Sequence, residues 1–154
     1  MVKIRFATLN DVPAIAELGR DIYAEARASS HMLYDENKLA EQTKVVLGTR
    51  VSTVCILLAE DSERKIVGIF AGYVNDYFYS ETKVAANYIF YVRPEYRHQS
   101  IGLKLLTTFR KWAENRGAKE ISISITSGTE LERTDTNLKK LGFEYTGGNY
   151  SLLL

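Results

Sequence analysis

Apolar and polar residues alternate in several short stretches of this chain, and such alternation is typical of β-strands with one buried face. In the first stretch, residues 2–6, apolar side chains alternate with Lys3 and Arg5. Gly68 and Gly72 lie within a longer apolar stretch and suggest a bulge or close backbone packing there. The predicted strands are residues 2–6, 53–60, 66–77, 88–92, 120–125, 143–145 and 150–154, the last two joined as a hairpin at 147–149.

Apolar residues recur at intervals of three and four in four other stretches, which predicts four α-helices. The third helix is the clearest, because Ile101, Leu105, Phe109 and Trp112 share one face. The residues expected to cap or stop the helices are Asn10, Asp35, Gly117, the pair Ser127-x-x-Glu130 and Gly142. The order of elements predicts an α/β fold, with a mixed central sheet of about seven strands flanked by about four helices.

One segment, residues 87–117, carries the strongest indication of function. An aromatic and β-branched strand is stopped by Pro94, and the turn of residues 97–102 then leads directly into a helix. The first N–H groups of a helix have no partner within it, and the helix dipole adds partial positive charge there. We therefore expect this turn to bind a ligand that carries phosphate.

Size and composition indicate an ordinary globular protein that fits one domain, residues 1–154. The formal net charge of +1 implies no general attraction to nucleic acid or to a membrane surface. The single cysteine, Cys55, lies in an apolar run and is expected to be buried. No signal peptide, apolar span of about 20 residues or His/Cys cluster is evident, which predicts a cytoplasmic protein without a metal site.

Two short motifs resemble the GNAT superfamily of N-acyltransferases. Arg97-x-x-Ser100-x-Gly102 is similar to the family signature Arg/Gln-x-x-Gly-x-Gly/Ala, and residues 92–96 before it are also typical. Downstream, residues 138–143 are similar to the family segment Tyr-x-Lys-x-Gly-Phe. The resemblance implies a GNAT-like domain that transfers an acetyl group from acetyl-CoA (coenzyme A) to a primary amine, which attacks the thioester directly.

The resemblance also implies how the donor is bound. Main-chain amides of the turn would hold the pyrophosphate, and the fourth strand would pair with the pantetheine arm. A backbone N–H near Tyr91 or Val92 would stabilise the oxyanion. The residues expected to bind the donor are Phe90, Tyr91, Val92, Arg97, His98, Gln99, Ser100, Ile101, Gly102 and Lys104.

Three positions depart from the family pattern. Ser100 replaces the first signature glycine, and Leu138 stands where the family usually has a general-acid tyrosine. Near the start of the fourth strand, Asn87 follows two alanines in a region where many members have a glutamate. Asn87 is therefore a candidate for holding a water that accepts the amine proton, and Tyr145 or Tyr150 for supplying a phenol, although a strand tyrosine is also an ordinary packing residue.

The acceptor side is less clearly marked. His31 lies in the loop between the first two helices, and Tyr77, Tyr79 and Glu81 belong to an aromatic and acidic stretch. These four residues either bind the acceptor or lie on an exposed surface. The expected partner is a small-molecule or peptide amine, with a homodimer possible and nucleic acid not expected. The alternative is a catalytically silent CoA-binding or protein-interaction module with the same fold.

Overall fold

The computed structural model describes residues 1–49, 53–125 and 130–154, without the side chains of Arg27 and Ala28. The described residues form five strands and four α-helices. In chain order these are β1 (Lys3–Phe6), α1 (Val12–Glu25), α2 (Glu36–Gly48), β2 (Val54–Glu60), β3 (Ile66–Asp76), β4 (Lys83–Val92), α3 (Ile101–Asn115), β5 (Glu120–Ser122) and α4 (Leu131–Lys140). None of the described helices combines the length and apolar character needed to cross a membrane.

The strands form a single sheet in the order β1-β2-β3-β4-β5. Neighbouring strands are antiparallel except for β5, which runs parallel to β4. The predicted α/β class and mixed sheet are confirmed, while the predicted number of strands is too high by two.

The missing strands are those of the predicted C-terminal hairpin. Residues 143–154 contain no strand. The Phe143 amide donates to the Leu138 carbonyl (3.1 Å) and the Phe143 ring packs against the core, but Tyr145 and Tyr150 are 73% and 100% exposed. Alternation of apolar and polar residues shows only that a segment suits a strand; forming one also requires backbone hydrogen bonds to a neighbouring strand, and residues 143–154 pair with no strand of the sheet. The prediction of a hairpin here is therefore wrong.

The helix ends follow the sequence at most positions. Asp35 caps α2 by accepting a hydrogen bond from the Lys38 N–H (2.9 Å), and Gly117 and Gly142 adopt positive φ after α3 and α4. Asn10 does not cap α1, because a 3-10 turn over Leu9–Asp11 precedes that helix. The predicted capping box at 127–130 extends into residues outside the described part of the chain.

In that 3-10 turn the capping carboxylate belongs to Asp11. It accepts a hydrogen bond from the Thr8 N–H (2.7 Å) and pairs with Arg5 of β1 through two hydrogen bonds of 2.8 Å. The hydrogen bond to Arg5 lowers the pKa of Asp11 to about 2. The start of α1 is therefore fastened to the outer strand of the sheet.

Two apolar clusters cover the two faces of the sheet. Adjacent residues of a strand point to opposite faces, so Leu57 belongs to the cluster with α3 and Leu58 to the cluster with α1. The Phe109 ring of α3 packs against the Phe70 ring in a tilted arrangement, with ring centroids 4.4 Å apart. Cys55 is buried in the α3 cluster, as predicted, and burial raises its pKa to about 12.

Strand β3 lies at the centre of the sheet, and one of its glycines is required by close packing. The sequence predicted a bulge or close backbone packing at Gly72, and the pairing of β3 with β4 does shift there. A Cβ atom on Gly72 would lie 2.6 Å from both the Ala86 carbonyl oxygen and the Phe109 ring. Only a residue without a side chain allows β4 and α3 to approach β3 so closely.

Candidate functional site

Strands β4 and β5 pair over only three residues and then separate. Val84, Ala85 and Ala86 have partners in β5. At the next position the Asn87 side chain replaces the backbone: its Nδ2 donates to the Ser124 carbonyl (3.1 Å), and its Oδ1 accepts from the Ser124 N–H (2.8 Å). The Asn87 side-chain amide thus makes the last hydrogen bonds between β4 and the segment after β5. Beyond it the two segments separate and leave a gap. This explains why β5 is shorter than predicted.

The opposite edge of β4 contains a bulge at the same level. Gly72 of β3 pairs with Asn87, and Ala71 pairs with Ile89, so Tyr88 is an extra residue with no partner in β3. Its ring is 61% exposed and lies against Tyr73, with centroids 4.6 Å apart. Bulges of this kind redirect a strand and are frequent beside functional sites.

The pairing register determines which backbone groups face the gap. The Arg93 N–H donates to the Val67 carbonyl of β3 (2.9 Å), so the amide of Tyr91, two residues earlier, also points toward β3. The amides of Phe90 and Val92 point the other way, into the gap. Of the two amides suggested by the sequence, that of Val92 is therefore the one open to a ligand.

The gap leads into a cavity of about 620 Å³ that reaches both faces of the sheet. This volume lies within the range of small-molecule sites, about 300–1,000 Å³. Its walls are the end of α1, the open part of β4, the turn before α3, residues 124–125 and helix α4. Described lining residues include Ile22, Glu25, Ala26, Asn87, Tyr88, Phe90, Val92, His98, Ser100, Gly102, Ser124, Glu130, Arg133, Asn137, Leu138 and Lys140.

The turn before α3 has the geometry of an anion site. Ser100 is the N-cap residue and adopts a left-handed conformation, with φ +56° and ψ 12°, and its side chain makes no capping hydrogen bond. This conformation costs an L-residue about 1–2 kcal/mol. The Lys104 N–H donates to the Ser100 carbonyl (3.0 Å), so the helix's first internal bond starts there. The three preceding helical amides, those of residues 101–103, have no place in the helical ladder.

Gly102 leaves this first turn uncovered. A Cβ atom at this position would lie 3.4 Å from the Phe90 ring, which is an ordinary van der Waals contact. The protein's packing therefore accepts alanine here. A larger side chain would have to pass the Phe90 ring and extend into the cavity.

Arg97, the first residue of the signature motif, turns its guanidinium away from the helix start. Its Nε donates to the Val92 carbonyl (2.8 Å), and its Nη2 donates to Glu25 Oε2 at the end of α1 (2.6 Å). The Tyr91 hydroxyl donates to the other oxygen of Glu25 (2.6 Å), and Arg97 lies over the Tyr91 ring. Burial and then the Glu25 hydrogen bond raise the pKa of Tyr91, so its hydroxyl remains a donor.

Helix α4 contributes two cations that sequence reasoning did not select. Arg133 and Lys140 both line the cavity, and Arg133 also donates to the Arg97 carbonyl. Lys140 belongs to the segment 138–143 that resembles the family, which was an available signal. Nothing in the local sequence marks Arg133 or Glu25, because their partners lie 36 and 72 residues away.

Leu138 lies in the cavity wall and in the core at once. It is 9% exposed and packs in the α3 cluster. The position at which the family usually has a tyrosine is therefore occupied by a packed aliphatic side chain.

The structure brings together most, but not all, of the residues predicted for the site. Eight of them line the cavity: Asn87, Phe90, Tyr91, Val92, Arg97, His98, Ser100 and Gly102. Ile101 is buried in the core, and the side chains of Gln99 and Lys104 are exposed outside the lining. The other predicted residues are exposed and not among the described lining residues: His31, Tyr77, Tyr79, Glu81, Tyr145 and Tyr150.

Main-chain amides outside the helical ladder and an open strand edge thus lie beside the same cavity. The sequence matches the acetyltransferase (GNAT) family over residues 13–143, so the chain belongs to that family. The fold and the sequence resemblance agree with this assignment. A comparison with curated proteins gave no significant match.

Solved structures share the fold at low sequence identity. One is an aminoglycoside acetyltransferase, meta-AAC0020, from an uncultured soil metagenomic sample in complex with sisomicin (24% identity, TM-score 0.73, covering 99% of this chain and 96% of that chain). Another is AAC(6')-Iy in complex with the bisubstrate analogue CoA-S-monomethyl-acetylneamine (13% identity, TM-score 0.75, covering 100% of this chain and 98% of that chain). A third is a ribosomal-protein-alanine N-acetyltransferase from Brucella melitensis biovar Abortus 2308 (18% identity, TM-score 0.73, covering 100% of this chain and 99% of that chain).

Proposed function

We propose that this protein transfers an acetyl group from acetyl-CoA to a primary amine, which attacks the thioester directly. One observation carries the proposal: the uncovered amides at the start of α3 and the Val92 amide on the open edge of β4 face the same cavity. A ligand with a diphosphate at one end and an amide-containing arm at the other fits that pair of features.

The diphosphate would bind at the turn. Hydrogen bonds from backbone N–H groups to phosphate are short and strong, and the helix dipole adds to them. Arg133 and Lys140 supply positive charge from the opposite wall. Arg97 and Lys104, the cations suggested by the sequence, are less suitable. The Arg97 side chain is 15% exposed and lies 2.6 Å from Glu25, whereas that of Arg133 is 39% exposed and lies 3.6 Å from Glu130. Lys104 lies outside the cavity lining.

The donor's arm would lie along the open edge of β4. Extended ligands commonly add to an unpaired strand edge through main-chain hydrogen bonds. The amides of Phe90 and Val92 are available for this, and Asn87 keeps the gap open by joining β4 to Ser124. In this arrangement Asn87 positions the strands, and both polar atoms of its side chain are already engaged.

The acceptor ammonium first loses one proton to water, and the neutral amine then attacks the thioester carbonyl. The reaction forms a C–N bond and breaks the C–S bond of the thioester, and the second proton lost by the nitrogen is available to the departing thiolate. A backbone N–H placed at the developing oxyanion contributes about 3–4 kcal/mol in enzymes that use one, and the Val92 amide suits that task. The departing thiolate belongs to a thiol with a pKa of about 8.5, so an acid group is helpful but not required. Leu138 is compatible with such a reaction.

Proteins of the same fold act on amines of several kinds, since the similar structures include aminoglycoside and ribosomal-protein acetyltransferases. This supports a small-molecule or peptide amine as the acceptor. The cytoplasmic location and the homodimer stay predictions of the sequence.

The experiment combines calorimetry with a thiol assay. We expect acetyl-CoA to bind and to raise the melting temperature, and a panel of primary amines to include one that releases free CoA thiol. Absence of binding at millimolar acetyl-CoA would contradict the proposal.

A second candidate is a CoA-binding module without turnover. Leu138 favours it, because a packed leucine occupies the usual position of the general acid. Tight binding of acetyl-CoA with no thiol release from any amine in the panel would select this candidate over the enzyme.

A further inference from the structure

The cation of the signature motif is held at the α1 wall of the cavity. The Arg97 guanidinium contacts the Val92 carbonyl, the Glu25 carboxylate and the Tyr91 ring, and Glu130 lies 3.7 Å from its Nε. Its side chain is only 15% exposed, and that of Glu25 is 28% exposed. Turning Arg97 toward a phosphate at the helix start would leave a half-buried carboxylate without its cation, which is unfavourable.

Glu25 has capacity left after these contacts. A carboxylate offers about four acceptor positions, and Arg97 and Tyr91 use one on each oxygen. The remaining positions are available where Glu25 lines the cavity on the α1 wall. Both donors fix the orientation of the carboxylate, since Tyr91 is held in β4 and Arg97 is bonded to β4.

The surroundings of Glu25 suit a cation with an apolar body. Ile22, one turn earlier in α1, and Ala26, the residue after the helix, line the same cavity, as does the exposed Tyr88 of β4. Glu130, a second carboxylate of the lining, is 3.7 Å from Arg97 Nε and pairs with Arg133. Of the two carboxylates among the described lining residues, Glu25 is therefore the one that α1 supplies.

We propose that Glu25 recognises the acceptor by binding its protonated amine, and that Arg97 and Tyr91 are positioning residues that hold Glu25 for this purpose. The proposal rests on the proposed function and specifies its substrate class, a cationic amine attached to a compact apolar or aromatic group. It also separates two tasks: Arg133 and Lys140 serve the donor phosphates, and Arg97 serves the acceptor.

The test uses two probes of similar shape, benzylammonium and benzyl alcohol, titrated into the full chain saturated with CoA. We expect the wild type to bind benzylammonium about tenfold more tightly than the alcohol, which is the worth of one charged hydrogen bond. Glu25→Gln keeps the shape and should abolish this preference. Glu130→Gln, the matched control, should retain it.

The positioning roles are tested by comparing two arginines. Arg97→Gln removes both the positioning contact and the cation that neutralises Glu25, so it should change the preference for benzylammonium severalfold while leaving the Kd of CoA within about twofold. Arg97→Lys should restore part of the wild-type preference. Arg133→Gln should have the opposite effect: it should weaken the binding of CoA and leave the preference for benzylammonium unchanged. Tyr91→Phe removes one hydrogen bond without removing packing and should lower the preference less than Glu25→Gln.

The outcomes separate this inference from the proposed function. Failure of the wild type to bind CoA would overturn the proposed function. CoA binding without a preference for the ammonium probe, or an Arg97→Gln variant that loses CoA affinity as Arg133→Gln does, would overturn the inference alone. Melting temperatures of all variants show whether each is folded.

Discussion

The two edges of β4 satisfy their backbone in different ways. Toward β3 the strand is paired from Lys83 to Val92, interrupted only by the bulge at Tyr88. Toward β5 it is paired over residues 84–86, and beyond Asn87 its amides face a cavity. Unpaired backbone groups are costly unless water or a ligand satisfies them. The closed edge therefore supports the fold, while the open edge is available for binding.

This difference gives each edge its own expected response to substitution. A change at the closed edge should lower the free energy of unfolding and affect ligands only through stability. A change at the open edge should alter ligand affinity in a protein that remains folded. Two glycines test this difference: Gly72 of β3 lies against the closed edge, and Gly102 of α3 lies near Phe90 at the cavity beside the open edge.

The largest effect is expected for Gly102→Glu at the open edge. The new side chain must pass Phe90 into the cavity, where it brings negative charge to the phosphate site. We expect the affinity for acetyl-CoA to fall more than about 100-fold by calorimetry. Gly102→Ala is the control and should bind within a fewfold of the wild type; equal affinity for both variants would contradict the position of the turn.

At the closed edge, Gly72→Ala should destabilise the fold. Its Cβ would lie 2.6 Å from the Ala86 carbonyl oxygen and from the buried Phe109 ring. Overpacking of this severity costs about 3 kcal/mol, measurable by urea unfolding. Gly48→Ala at the end of α2, where nothing lies within 4 Å, is the matched control and should be nearly neutral. A Gly72→Ala variant of normal stability would show that β3 and β4 are not so closely packed.

Between the two edges, Asn87→Ala should have an intermediate effect. It removes the two hydrogen bonds to Ser124 that join β4 to β5. We expect the free energy of unfolding to fall by about 2 kcal/mol and donor affinity to fall with it. Asn75→Ala, at an exposed position of β3, is the control. Loss of turnover with unchanged stability would instead support the predicted water-holding role of Asn87.

The smallest effect is expected far from the cleft, at Asp11. Its folded pKa of about 2 lies below its ordinary value of 3.8, so ionised Asp11 stabilises the fold above about pH 4. This contribution to the free energy of unfolding is about 1 kcal/mol, because solvent partly screens the ion pair with Arg5. It is lost as pH falls toward 2. Asp11→Asn should therefore be less stable at pH 7 and show a weaker loss of stability below pH 4, with donor binding unchanged.

The sequence was sufficient where structure depends on neighbours in the chain. The end of β4 at Val92, the stop at Pro94, the turn and helix α3 were predicted, and Gly117 ends that helix as expected. The start of β4 was not, because the strand begins at Lys83 and the prediction began at Tyr88. Each of the predicted features follows from local spacing and from the conformational preferences of proline and glycine. The uncovered amides of the turn follow from the same local rules.

The contacts that complete the site join distant parts of the chain. Glu25 meets Arg97, and Asn87 meets Ser124, through pairings that no periodicity encodes. The predicted C-terminal hairpin is absent for a similar reason, since residues 143–154 suit strands by their pattern but pair with none, and periodicity does not encode pairing. Sequence reasoning therefore located the turn that we propose to bind the donor and missed the contacts of the wall that we propose to bind the acceptor.

Residue-resolved amide hydrogen exchange, with and without saturating acetyl-CoA, tests the open edge most directly. We expect the amides of Phe90 and Val92 and those at the start of α3 to slow by about tenfold or more. The Tyr91 amide, already directed at β3, serves as the internal reference and should change little. Saturated binding that leaves the Phe90 and Val92 amides exchanging as in the free protein would contradict the account.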